Sequence, residues 1–279
     1  MGGDVFYPSL EEIKAEDNEE KPFLLFLVRD SKGTEVRKLK TKVTTGINRL
    51  VWDFRHAPSV PLRLKPRDIG RYSGSDKGPI AVPGKYSVEI YKSHNGIISK
   101  LTDPVSFKIK PLNNLSLPEL NKEEALVFQQ KISDLQRAVR GAEKILSDID
   151  TRVKFIKIAI ESVPQLPLSL MPKAKKAENN IIALEIAFYG ESSLSSREFE
   201  VKNSLSDRIE TAIWSTLSHS STASQTSIRL YEEAGQEFEP LLNQLKKLIT
   251  DVEEMEKELD KYKAPYTPGR IPLPDWKMD

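Results

Sequence analysis

Two stretches in the second half of the chain carry apolar residues at alternating steps of three and four positions. The first stretch spans residues 128–163 and the second spans residues 231–262. This spacing predicts two long helices, each roughly 50 Å long and each with one apolar seam. The seams contain no carboxylate, amine or histidine, so we interpret them as surfaces for packing against other helices. The seam residues are Phe128, Ile132, Leu135, Val139, Ala142, Leu146, Ile149, Val153, Ile156, Ile160 and Val163, and then Tyr231, Ala234, Phe238, Leu241, Leu245, Leu248, Val252, Met255, Leu259 and Tyr262.

Two shorter helices are predicted between the long ones. The first covers residues 172–189 and ends at Gly190, because glycine readily adopts the left-handed conformation that terminates helices. The second covers residues 201–217. Helices in the order long, short, short, long, with a polar loop at residues 191–200, predict an antiparallel four-helix bundle in residues 121–264.

The first part of the chain carries short β-type stretches separated by turn signals. Residues 30–33 (Asp-Ser-Lys-Gly) and the Asn-Gly pair at 95–96 have the composition of tight turns. Residues 46–54 are predicted as a strand, because apolar residues alternate along them. This pattern predicts an Ig-like antiparallel β-sandwich. The predicted organisation is a flexible segment at 1–21, the sandwich at 22–112, a linker at 113–120, the helical bundle at 121–264 and an extended, proline-rich tail at 265–279.

The composition argues against several kinds of chemistry. The chain has no cysteine, so disulfides and thiolate metal sites cannot form. Its three histidines, His56, His94 and His219, are far apart in sequence and lack the spacing of metal ligands. A net charge of +1 argues against nucleic acid as a partner, and no apolar run is long enough for insertion into a membrane. We therefore expect no catalytic residue, no metal site and no cofactor.

Four residues form the candidate ligand patch: Arg49, Arg55, His56 and Tyr72. They combine basic and aromatic side chains, the residue types that bind anions or stack on sugar rings. Tyr72 belongs to a loop at residues 58–79 that is rich in proline, glycine and arginine. One alternative function is therefore a carbohydrate-binding module that uses this loop.

Carboxylates are abundant on the last predicted helix. Because paired carboxylates can hydrolyse glycosidic bonds, a second alternative is a hydrolase that uses carboxylates on this helix face. These residues alternate with lysines and lie outside the apolar seam, which is typical of a solvated helix face. They are Asp251, Glu253, Glu254, Glu256 and Glu258.

Several motifs in the first part of the chain follow one another in the order found in a known domain family. Residues 30–33, 36–39 (Val-Arg-Lys-Leu), 45–53 (Thr-Gly-Ile-Asn-Arg-Leu-Val-Trp-Asp) and 82–88 (Val-Pro-Gly-Lys-Tyr-Ser-Val) resemble the Ig-like domain of flagellar-hook-capping type. The helical half, with Leu-Ser-Asp-Arg-Ile at 205–209, resembles the C-terminal region of large secreted bacterial proteins. Those proteins carry an Asp-box (BNR, sortilin-like) β-propeller of glycosyl-hydrolase-like type.

The resemblance, which extends over about residues 22–262, implies a location and a role. This chain has no Asp-box repeat, so the resemblance implies that a propeller, and any enzymatic activity, would lie upstream of Met1. We therefore expect a non-catalytic C-terminal accessory module that supports or presents this upstream propeller. Its other partners would be protein or glycan. The parent protein would be periplasmic, cell-surface or extracellular, with its export signal upstream of Met1.

Overall fold

The computed structural model describes residues 8–64, 77–112, 121–197, 202–217 and 221–271. It combines an antiparallel five-stranded sheet with a set of helices that follows it, so the mixed β and α class is confirmed. The chain divides into two compact units. One unit comprises Met1–Ala57 and Gly78–Glu119, and the other comprises Pro58–Lys77 and Leu120–Asp279. We call them the sheet unit and the helical unit.

The sheet unit begins with a short helix, α1 (Leu10–Asp17), which is capped by Ser9. The central strand of the sheet is β3, which pairs with β1 on one side and with both β4 and β5 on the other; β2 pairs with β1. The predicted turns at 30–33 and 95–96 are confirmed, and Gly33 and Gly96 both have positive φ. The strands are β1 (Phe23–Asp30), β2 (Glu35–Lys42), β3 (Gly84–His94), β4 (Ile97–Lys100) and β5 (Val105–Ile109).

The predicted strand at residues 46–54 is wrong, because the structure has no strand there. The side chain of Asn48 donates to the carbonyl oxygens of Thr44 and Gly46 and accepts from the backbone of Thr44. Such local bonds give the backbone an alternative to a strand ladder. The segment instead packs Trp52 against the small core of the sheet unit. The described residues therefore place an irregular segment, and no second sheet, on this core.

The helical unit contains α2 (Lys122–Ser162), α3 (Met171–Tyr189), α4 (Ser192–Ser195), α5 (Leu205–Leu217) and α6 (Gln225–Lys261). Among these, α2, α3, α5 and α6 each contact the other three. Asn121 caps α2, Ser224 caps α6, and Gly190 ends α3 with a φ of +80°. No helix in the described ranges is long and apolar enough to cross a bilayer.

Both apolar seams are confirmed by burial. Ile132, Leu146 and Ile149 of α2 are almost fully buried, as are Leu245 and Leu248 of α6. All seam residues belong to one large core or pack against it. The seams thus hold the helical unit together by removing apolar surface from water.

Helix α5 begins at Leu205, later than the predicted start at residue 201. Its start is fixed by a reciprocal cap, in which the Ser204 hydroxyl accepts from the backbone N–H of Asp207. The Asp207 carboxylate in turn accepts from the Ser204 backbone N–H and hydroxyl. This arrangement satisfies donors that the first helical turn leaves unpaired.

Ion pairs in which one partner is buried join helices of this unit. Arg152 of α2 donates two hydrogen bonds to Glu256 of α6, one of them over 2.7 Å, and Arg208 of α5 donates to Glu237 of α6. Glu256 is only 7% exposed, so its predicted position on a solvated helix face is wrong. A partner on a different helix makes this burial tolerable, because the carboxylate keeps a hydrogen-bonded counterion.

The chain after α6 folds back as a fixed turn. Arg270 is buried and donates to the Asp260 carboxylate over 2.9 Å and to the carbonyl oxygens of Ala264 and Pro265 over 3.2 Å. At Gly269, φ is +92°, and an added Cβ would lie 2.6 Å from Cδ of Arg152. Only glycine therefore fits this turn without moving the Arg152 side chain.

Candidate functional site

An apolar groove of about 580 Å³, here called the sheet groove, opens over one face of the sheet. Strand alternation places Phe26 and Val28 of β1 on this face. Leu39 lies opposite Phe26 and Val88 lies opposite Val28, so their side chains share the same face, and Phe107 of β5 adds to it. The other wall is formed by Asn48, Arg49, Leu50, Val51, Trp52 and Phe54.

An aromatic cluster fixes one end of the sheet groove. The Trp52 ring meets Phe54, Tyr86 and Phe107 edge-on, with centroid distances of 5.4, 5.7 and 6.2 Å. Its indole N–H donates to the carbonyl oxygen of Arg55 over 2.9 Å. Edge-to-face packing of this kind is favourable, and the hydrogen bond fixes the orientation of the indole. Trp52 is therefore a structural wall of the groove.

Phe54 differs from its neighbours in backbone conformation. Its φ is +54°, in the left-handed region that costs a non-glycine residue about 1–2 kcal/mol. The residue is nevertheless 50% exposed, so the packing contacts of its ring offset only part of this strain energy. The surrounding chain holds it in place, since the Phe54 carbonyl accepts from the Ala81 N–H over 2.7 Å. Strained residues of this kind cluster at functional sites.

The structure describes three of the four residues of the predicted ligand patch, namely Arg49, Arg55 and His56. Arg49 lines the sheet groove. The Arg55 guanidinium donates to the Gly78 carbonyl over 2.9 Å, and burial lowers the pKa of this group. The His56 backbone N–H donates to Pro79 over 2.8 Å, and burial lowers the pKa of its imidazole. Tyr72 lies outside the described residues.

The sheet groove offers few polar groups to a ligand. The Asn48 amide is already engaged with Thr44 and Gly46. Arg49 is the charged side chain among the described lining residues, and no carboxylate lines the groove there. A ligand in this groove would therefore bind mainly through apolar contacts.

A second cleft, of about 510 Å³, lies within the helical unit and is here called the helical cleft. Its centre is a charged network in which Arg140 binds Glu143 over 2.9 Å and Glu210 over 3.4 Å. The hydroxyl of Ser206 also donates to Glu143. The cleft is lined by Val60, Pro61, Leu62, Arg63, Arg140, Glu143, Lys144, Ser147, Tyr189 and Glu210.

Tyr189 is the aromatic residue of the helical cleft. Its ring lies at the end of α3, and its side chain is about half exposed. Burial of the hydroxyl, followed by the nearby charge of Glu143, raises its pKa to about 12. At neutral pH the hydroxyl therefore remains protonated and can donate a hydrogen bond to a ligand.

The structure places the carboxylates of the hydrolase alternative in different surroundings. Glu256 is buried against Arg152. Asp251 and Glu254 line a depression of about 200 Å³ together with Lys173 and Lys176. Within the described ranges, no group of three histidine or carboxylate residues could hold a metal ion.

No protein-family model, curated protein or solved structure matches this chain. Of the sheet groove, Arg49 was predicted from the sequence as a ligand residue, whereas the strained Phe54 and the helical cleft were not predicted. No periodicity marks a left-handed backbone at a phenylalanine. The cleft residues come from α2, α3, α5 and residues 60–63, and nothing in their spacing connects them.

Proposed function

We propose that this protein is a non-catalytic accessory module at the C-terminal end of a larger secreted β-propeller protein. The sheet groove would bind apolar side chains of the neighbouring propeller. The parent protein would act in the periplasm, at the cell surface or outside the cell. The motif order at 30–33, 45–53 and 82–88 supports the assignment to this kind of protein.

The proposal also includes the detailed architecture of the two units. We infer an Ig-like domain in which the irregular segment at 46–57 packs on the sheet where a sandwich would have its second sheet. We also infer that α2, α3, α5 and α6 form an antiparallel four-helix bundle. Their mutual contacts and their shared apolar core support this inference.

The proposed function depends mainly on one observation, the strained and half-exposed conformation of Phe54. Phe54 lines the apolar groove with a left-handed backbone, and half of its surface stays exposed although its ring packs edge-on against Trp52. A binding role explains why the ring is presented there, because a partner would bury it. Aromatic residues of this kind are enriched among the anchors of protein interfaces.

Phe54→Asn tests this role, because asparagine adopts the left-handed conformation more readily than phenylalanine. The relief of strain offsets the lost ring contact, so we expect the free energy of unfolding to change by less than about 1 kcal/mol. The proposal requires that the gene encode a polypeptide upstream of Met1, and this polypeptide is expressed separately and titrated into this chain by calorimetry. We expect saturable binding with a negative heat-capacity change, weakened at least about tenfold, or 1.4 kcal/mol, by Phe54→Asn.

Ser106→Asp is the matched control, because Ser106 is exposed on the opposite face of the sheet from Phe107. This variant should bind like the unmodified chain. The proposal would be wrong if the upstream polypeptide contains no propeller. Equal weakening by both variants, or binding unaffected by Phe54→Asn, would also contradict it.

The helical cleft supports a second candidate, a carbohydrate-binding module that uses residues 60–63 of the predicted loop. Tyr189 beside the polar groups of Arg140, Glu143 and Ser147 resembles the aromatic and planar polar surfaces on which sugars bind. The volume of about 510 Å³ also suits a small ligand. On a glycan array, binding should be lost with Tyr189→Ala and largely retained with Tyr189→Phe. If no glycan on the array is bound above background at high protein concentration, this candidate is wrong.

A further inference from the structure

Strand β2 is an outer strand of the sheet, and most of its outer edge is unpaired among the described residues. It pairs with β1 alone among the described strands. Ala57 donates to the carbonyl oxygen of Val36, so residues beside the start of β2 cover that end of the edge. From Lys38 to Lys42, the described residues place no strand or backbone hydrogen bond on the outer side. This edge could therefore accept another strand.

The two faces of β2 differ in chemistry. Leu39 points to the sheet groove, as its pairing with Phe26 and its place in the groove lining show. Lys38, Lys40 and Lys42 alternate with it and are exposed on the opposite face. A strand added at this edge would place every second side chain over the groove and the others beside the lysines.

The same lysines disfavour a second copy of this chain as the added strand. Antiparallel pairing of two β2 strands centred on Lys40 would place Lys40 opposite Lys40 and Lys38 opposite Lys42. Like charges directly opposite each other destabilise a strand pair. Other β2–β2 registers that keep Leu39 over an apolar face also bring lysines together. The edge therefore favours a different chain with the opposite charge.

We propose that β2 accepts, by strand addition, a segment of a partner protein in which apolar and acidic residues alternate. The apolar side chains extend over the sheet groove beside Leu39. The acidic side chains form cross-strand pairs with Lys38, Lys40 and Lys42. Backbone hydrogen bonds along the free edge supply sequence-independent affinity, as in other strand-addition complexes. This inference rests on the proposed function, because it specifies which segment of the partner the groove recognises.

The probe is a capped, fluorescent peptide of about ten residues that alternates glutamate with valine, a typical strand length. A matched peptide has lysine at every glutamate position, and a third has proline at the centre. Binding to the full chain is measured by fluorescence anisotropy at low salt. We expect the glutamate peptide to bind at least about tenfold more tightly than the lysine peptide, and the proline peptide to bind weakly.

The triple variant Lys38→Glu, Lys40→Glu and Lys42→Glu should reverse this preference. Because the three side chains are exposed, the variant should fold, which circular dichroism checks. Amide hydrogen exchange should show protection of residues 38–42 on addition of the glutamate peptide. Equal affinity for the glutamate and lysine peptides, or no saturable binding of either, would overturn the inference.

The two proposals fail separately. If the upstream polypeptide binds in a way that depends on Phe54 while the glutamate peptide does not bind, strand addition is wrong and the proposed function stands. If the glutamate peptide binds with the expected dependence on the lysines while the upstream polypeptide does not bind, the edge is a recognition site and the propeller is not its partner.

Discussion

Replacing Ile149 or Leu248 with alanine is expected to lower the free energy of unfolding of the helical unit by about 2–5 kcal/mol. Each side chain is 1% exposed and lies in the large core of that unit. The cost combines lost transfer of apolar surface from water with the cavity that the neighbours leave unfilled. Urea unfolding of the intact chain, followed by far-ultraviolet circular dichroism, measures the loss.

Glu253→Ala is the control for these truncations. Glu253 lies on the same helix as Leu248 but is exposed. Its replacement should change the free energy of unfolding by less than about 0.5 kcal/mol. Similar losses for all three variants would mean that the buried faces of α2 and α6 do not determine stability.

Glu256→Ala is expected to destabilise the protein by about 2–3 kcal/mol, close to the cost of breaking a buried ion pair. This substitution removes the main partner of the Arg152 guanidinium. Hydrogen bonding to Glu256 is the largest cause of the raised pKa of Arg152, so the charged guanidinium loses its strongest stabilising contact. The side chain of Arg152 is 18% exposed, so water recovers part of the loss. Thermal and urea unfolding of the full chain measure the effect.

The exposed pair Lys144–Asp148 provides the comparison, because its side chains are more than half exposed. Asp148→Ala should cost at most about 0.5 kcal/mol, since exposed ion pairs contribute little. If Glu256→Ala cost no more than Asp148→Ala, the buried pair would have no special part in joining α2 and α6.

The helices were predictable from sequence because their evidence is local. The apolar seams recur every three or four residues, and burial at Leu146, Leu245 and the other seam positions follows from that spacing alone. Gly190 likewise marks the end of α3 without reference to any other part of the chain. Helix boundaries set by side-chain caps, such as Ser204 with Asp207, were predicted less well.

The errors arose where distant residues decide the outcome. Residues 46–54 have the alternation of a strand, but no neighbouring strand pairs with them, and the Asn48 side chain occupies local backbone groups instead. Glu256 lies outside the apolar seam, yet Arg152, more than a hundred residues earlier, makes its burial favourable. The helical position of a charged residue does not reveal whether such a partner exists.

The candidate sites were harder to predict for the same reason. The sheet groove draws its residues from four strands and from the segment at 48–54, so only the folded sheet brings them together. Arg49 was recognised by residue type, whereas Phe54 became distinctive only through its backbone angle. The helical cleft unites Tyr189, Glu210 and residues 60–63, which no single motif contains.

The assignment of Pro58–Lys77 to the helical unit has a consequence for the evolution of this protein. Domains usually occupy one continuous piece of sequence, so a gene can exchange them by a single recombination event. Here the helical unit is encoded in two pieces, with strands β3, β4 and β5 of the sheet unit encoded between them. A transfer of residues 120–279 alone would leave residues 58–77 behind. The two units are therefore expected to be inherited together.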